Sequence, residues 1–203
     1  MDKNQEHLNN LTEIRSLMER SSTFISLSGL SGISAGIIGL IASVFFYRTT
    51  ASVTEPYTYA VLERTIIELI IIGAVTVILA FAAAIFFTSL KAKKKGQPLW
   101  SVSARRLLVN LFIPLITGGV FCLFLLYNLY LNLLVPSMII FYGLALINAS
   151  KYTLSQVKYL GISELVVGLI SLFYVDYAIH FWAIAFGVLN IIYGTIMYMT
   201  NEK

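Results

Sequence analysis

Six apolar runs, near residues 24–47, 63–89, 107–127, 132–150, 158–175 and 178–199, constrain this chain more than anything else in it. Crossing about 30 Å of hydrocarbon takes roughly 20 apolar residues in a helix. Inside lipid every backbone N–H and C=O must be paired, which a helix achieves within itself and an open sheet edge does not. One water-soluble core cannot absorb six such runs. Only 12% of the 203 residues are charged, against about 25% in soluble domains. The pattern predicts an all-α membrane protein: a six-transmembrane-helix bundle over 23–200, preceded by a short cytoplasmic segment over 1–22. In that segment residues 10–22 (NLTEIRSLMERSS) read as an amphipathic helix. Asn10 and Glu13 have capping-box spacing, and Leu11, Ile14, Leu17 and Met18 share one face.

Charge sets the orientation. Lys91, Lys93, Lys94, Lys95, Arg105 and Arg106 crowd the connection 91–106, and loops rich in Lys and Arg stay in the cytoplasm. Both termini then fall on the same side, with Lys151 and Lys158, while Arg48 and Arg64 fall outside. Tyr and Trp cluster at both run ends (Tyr47, Tyr127, Tyr130, Tyr174 and Trp182 outside; Trp100, Tyr152 and Tyr159 inside), as interfacial rings do. The expected location is the bacterial cytoplasmic membrane. A basic cluster beside a span serves topology or anionic lipid, so no nucleic-acid partner is expected.

The stretch SGLSGISAG, residues 28–36, contains two serine-hydrolase patterns, GxSG at Gly29–Gly32 and GxSxG at Gly32–Gly36. A nucleophile elbow needs a strand-turn-helix context, whereas this stretch lies within a helix. A Ser–His dyad needs a nearby base, but the two His are His7 and His180, the latter at the outer end of the last run. Packing accounts for more residues. Ser28, Gly32 and Gly36 form one row at helical spacing, and Ser31, Ala35, Gly39 and Ser43 form the next. Such rows let two helix backbones approach closely in lipid. No catalytic residue is assigned and no enzyme activity is expected.

Two carboxylates lie inside runs, where a charge costs about 2.5–3.5 kcal/mol on insertion scales. Glu68 has Arg64 four residues before it and is expected to pair locally. Glu164 has no such partner on its own helix. It is the leading candidate for a proton or ligand site, either protonated or bonded to hydroxyls and Asn on neighbouring helices. Asp176 and His180, spaced i,i+4, form with Glu63, Arg64 and Glu68 a candidate outer polar cluster if runs 2 and 6 adjoin. Pro114 frees the Asn110 carbonyl in run 3. Asn148 and Asn190 read as interhelical hydrogen-bonding residues rather than ligands. One Cys and two His supply no ligand set for a metal, and no cofactor is expected.

A faint repeat runs through the chain. Gly32-Ile33-Ser34 followed by Gly39-Leu40-Ile41 returns as Gly161-Ile162-Ser163 followed by Gly168-Leu169-Ile170, and Tyr142-Gly143-Leu144 returns as Phe186-Gly187-Val188. This suggests a bundle of related hairpins arranged as parallel repeats. Residues 13–32, EIRSLMERSSTFISLSGLSG, resemble the opening of a family of bacterial six-span membrane proteins of uncharacterised activity. The spacing of Gly161 to Gly168 and Gly187 to Gly194 is similar to that of HdeD-type six-span proteins, a resemblance that implies a link to acid stress without a reaction. The expected function is therefore that of a non-enzymatic, multi-pass membrane protein acting through packing and partner contacts, in envelope stress or regulation. Its partners would be the bilayer, a cytoplasmic protein on helix 10–22 and a second copy in a homo-oligomer. The alternative is a small-solute, ion or proton-coupled transporter or channel using Glu164 or Glu68.

Overall fold

The computed structural model describes residues 27–51, 59–94, 96 and 100–201; the helix expected over 10–22 lies outside them. The described residues form six helices and no strand. They are α1 Gly29–Ala51, α2 Tyr59–Lys94, α3 Val102–Tyr127, α4 Leu134–Ala149, α5 Ser155–Ser171 and α6, which begins at Ala178 and ends at Asn201. α6 changes pitch on the way. An α-turn over Ala178–Trp182 passes into a π-helix over Ala183–Leu189, and α-helix resumes over Asn190–Asn201. Short 3₁₀ turns flank α4 (Leu131–Leu133 and Ser150–Tyr152) and precede α6 (Val175–Tyr177). Five of the six helices are long and apolar enough to cross a membrane. α5 has 17 residues, about 26 Å at 1.5 Å per residue.

Helix ends differ from the expected runs for local reasons. Ser101 caps α3, its hydroxyl accepting from the Ala104 amide at 3.1 Å, so α3 starts five residues before the expected 107. α2 likewise carries Lys91, Lys93 and Lys94 in its last turn. Most of the basic connection is therefore helical. α3 ends in a Schellman motif: the Tyr130 amide donates to the Leu125 carbonyl at 2.8 Å and that of Leu129 to Leu126 at 3.1 Å. Leu129 takes φ +59° there, a conformation that favours glycine.

The packing follows a chain of neighbours. α2 lies on α1, α1 lies along α6, α6 meets α4 and α5, α5 lies on α4, and α4 lies on α3. At one end Leu146, Val157 and Leu160 form a buried cluster with Leu27, Leu111, Leu189 and Tyr193 around it. The α1–α6 contact runs along glycines. A Cβ on Gly29 would stand 2.4 Å from the Tyr198 amide nitrogen, one on Gly36 would stand 2.6 Å from the Gly187 carbonyl oxygen, and one on Gly39 would stand 2.4 Å from that of Phe186. From the other side, a Cβ on Gly194 would stand 2.6 Å from the Ile33 nitrogen. Ser28, Ser31, Gly36, Gly39 and Ser43 are buried, while Gly32 and Ala35 are half-buried. The glycines of the α1 rows, Gly32, Gly36 and Gly39, thus lie in the seam with α6, and Gly29 joins them.

The α4–α5 contact repeats this arrangement. A Cβ on Gly161 would meet the Gly143 oxygen, Ile147 Cγ1 and the Ile147 nitrogen, each at 2.9 Å. A Cβ on Gly36 would meet the Gly187 oxygen, Ile191 Cγ1 and the Ile191 nitrogen at 2.6, 2.6 and 2.9 Å. The two antiparallel pairs, α1 with α6 and α5 with α4, use the same lock. The sequence repeat aligns Gly161 with Gly32, whereas the packing aligns it with Gly36, one turn later. Positions four apart share a helix face, so small-residue spacing alone does not distinguish registers that differ by one turn.

Candidate functional site

Glu164 lies midway along α5 and is 0% exposed. Facing it are Tyr142, midway along α4, and Asn190, the first α-helical residue after the π segment of α6. The Tyr142 hydroxyl donates to Asn190 Oδ1 at 3.1 Å. That donor fixes the amide's orientation, turning Nδ2 toward Glu164 Oε1 at 3.3 Å and the Ala185 carbonyl at 3.1 Å. Next to them Ser163 Oγ and Tyr193 Oη lie 3.1 Å apart. The three helices therefore meet through a polar centre inside an otherwise apolar bundle.

The local sequence accounts for this placement. Gly143 and Gly161 bring α4 and α5 close enough that a Cβ on Gly143 would lie 3.2 Å from Glu164 Cβ. Ala185 lies in the π segment, a geometry frequent at functional sites, and its carbonyl accepts from the Asn190 side chain. Rings follow one another away from the centre: Tyr142 and Phe186 are tilted against each other at 5.2 Å, Phe186 and Trp182 likewise at 4.5 Å, and Trp182 meets Phe46 edge-on at 4.9 Å.

Two fully buried polar atoms have no hydrogen-bond partner among the described residues, Glu164 Oε2 and Trp182 Nε1. Such atoms are uncommon in native interiors and mark a functional group or an absent small ligand. Chemically, the centre offers one carboxyl with a free oxygen, oriented by an amide and a phenol. It can exchange a proton or accept a donor brought to it. No metal-binding group of three or more His, Cys, Asp or Glu occurs among the described residues.

The other candidates lie elsewhere. Arg64 Nε binds Glu68 Oε1 at 3.0 Å on the exposed side of α2, and Glu63 is exposed beside them. His180 packs edge-on against Tyr177 at 5.9 Å. No hydrogen bond or ion pair joins Glu63, Arg64 or Glu68 to Asp176 or His180 among the described residues, because α1 lies between α2 and α6. Asp176 sits in a 3₁₀ turn, which breaks the helical spacing that would have brought it over His180. The α1 serines are used by their own helix. Ser31 Oγ donates to the Ser28 carbonyl, Ser34 Oγ to Ser31 at 3.0 Å and Ser43 Oγ to Leu40 at 2.7 Å. Asn148 Nδ2 donates to the Asn110 carbonyl at 2.8 Å, the group left open by Pro114. Sequence reasoning singled out Glu164 and Asn190 separately. It missed Tyr142 as their partner, and it missed the π segment, which no proline or unusual residue announces.

Comparison with protein-family models, curated proteins and solved structures finds no match for this chain.

Proposed function

We propose that this chain is a six-span integral protein of the bacterial cytoplasmic membrane, with both termini in the cytoplasm, and that it works through contacts rather than catalysis. Six crossings are supported by the alternating ends of the helices. Lys91, Lys93, Lys94, Arg105, Arg106, Lys151 and Lys158 fall at one end and Arg48 and Arg64 at the other, as the positive-inside bias requires.

The observation that carries the contact reading is α2. It is the most apolar of the five long helices, yet no residue of its spanning window is buried. Its packing is mainly against α1, with one stacked contact to α3, Phe81 on Phe112 at 5.7 Å. An edge helix held mainly by one neighbour offers the rest of its surface to lipid, to a second copy or to another membrane protein. Segment 10–22 adds a cytoplasmic docking element, and the role is regulatory or one in envelope stress. A photo-cross-linking side chain at Val75 or Ile78 of α2, or at Leu17, is expected to give one discrete adduct in cells, while Ile116 of α3 gives none. Equal, diffuse labelling from all four positions would count against this reading.

A second reading, proton-coupled transport, is favoured by one observation: the unpartnered oxygen of Glu164 at mid-depth, where two related helix pairs meet beside a π segment. Transporter sites lie near the midplane at repeat interfaces. Loss of proton-driven flux in Glu164→Gln proteoliposomes, with the fold kept, would replace the contact reading with this one.

A further inference from the structure

We propose that the groove between α3 and α4 binds one anionic phospholipid, with an acyl chain along the groove and the phosphate at Lys151. The groove encloses about 400 Å³ and is lined by Pro114, Thr117, Phe141, Leu144, Asn148 and Lys151. Its shape follows from the helices that make it. They touch tightly where a Cβ on Gly118 would stand 2.4 Å from Phe141 Cβ. They are tied again where Asn148 reaches the Asn110 carbonyl. Pro114 lies between these two points. Phe141 to Lys151 spans about 15 Å along the helix, half of the roughly 30 Å hydrocarbon core. The groove thus has the depth of one leaflet.

Its two ends differ in chemistry. The deep end is Pro114, Phe141 and Leu144. At the other end Lys151 sits in the 3₁₀ turn Ser150–Tyr152, which packs against α3, and α3 carries Arg105 and Arg106 in its first turns. All three cations are exposed. None is paired with a carboxylate among the described residues, where the one ion pair is Arg64–Glu68. No acid lines the groove, and Glu164 faces α6 rather than α3. An apolar slot one leaflet deep with Lys151 at its mouth, and Arg105 and Arg106 exposed on the first turns of the adjoining helix, fits a lipid better than a free anion, because a free anion would leave the slot empty.

Native mass spectrometry of the full chain, released from mild detergent and titrated with phosphatidylglycerol or phosphatidylcholine of identical acyl chains, tests this. A first phosphatidylglycerol adduct should saturate ahead of the phosphatidylcholine one. Combined Lys151→Ala and Arg106→Ala should weaken it about tenfold, because each cation near the surface contributes to anionic-lipid attraction, and should leave phosphatidylcholine unchanged. Leu144→Trp, or Thr117→Phe should the first fail to fold, should fill the slot and remove the early adduct of either lipid. Identical ladders for both lipids in the wild type would overturn the proposal. So would displacement of the phosphatidylglycerol adduct by inorganic phosphate, which would assign the cations to a free anion.

Discussion

At the residue scale, Glu164 and Asn190 make opposite predictions although they share a hydrogen bond. Glu164→Gln keeps the volume and an acceptor for Asn190 Nδ2, so denaturation in detergent should find stability changed by no more than about 1 kcal/mol, the net worth of a typical hydrogen bond. Asn190→Leu removes the acceptor for Tyr142 and the donor for both Glu164 and the Ala185 carbonyl. Leaving buried polar groups unsatisfied costs about 1–3 kcal/mol each, so this variant should be clearly the weaker of the two. Leu129 offers a gain instead. It holds φ +59° at the end of α3, where L-residues are disfavoured by about 1–2 kcal/mol. Leu129→Gly should therefore raise the unfolding midpoint, and a lower midpoint would mean that the Leu129 side chain contributes more than its backbone loses.

At the element scale, α3 carries a proline without losing its course, because Asn148 of α4 supplies the missing donor to Asn110. The two positions should couple. Asn148→Ala should cost about 1 kcal/mol in the wild type and much less when Pro114→Ala has restored the helix's own amide. A double-mutant cycle reads that difference directly, and additive effects would deny the compensation. This element also shows what the sequence makes legible. Pro114, the freed Asn110 carbonyl and Asn148 are all visible in the chain, because each is a local chemical fact about one residue. That Asn148 is the donor for Asn110 is a fact about two helices in contact, which no window of sequence contains. The same division holds for the carboxyl centre. Glu164 is conspicuous as a charge in an apolar run, whereas Tyr142 stands out only as part of the repeated step Tyr142-Gly143-Leu144 until the fold brings it to Asn190. The outer cluster shows the cost of guessing adjacency, since its five residues depended on α2 meeting α6 and α1 lies between them.

At the scale of the whole molecule, the bundle is two antiparallel pairs locked by glycine, joined through Glu164, Tyr142 and Asn190, with α2 and α3 on the flanks. The α1 rows announced a seam in the sequence because small residues at helical spacing have few other uses in lipid. Their partner was not announced, since α2, the neighbour in the chain, was as eligible as α6. The most direct measurement compares three substitutions of one kind in detergent-solubilised protein: Gly36→Leu, Gly161→Leu and Gly119→Leu. Gly36 and Gly161 have backbone atoms of the facing helix within 2.9 Å of a built Cβ, and Gly119 has nothing within 4 Å. The account predicts lower unfolding midpoints for the first two and an unchanged or higher one for the third, because leucine is the better helix former. Equal midpoints for all three would contradict the glycine-locked pairs on which the rest stands.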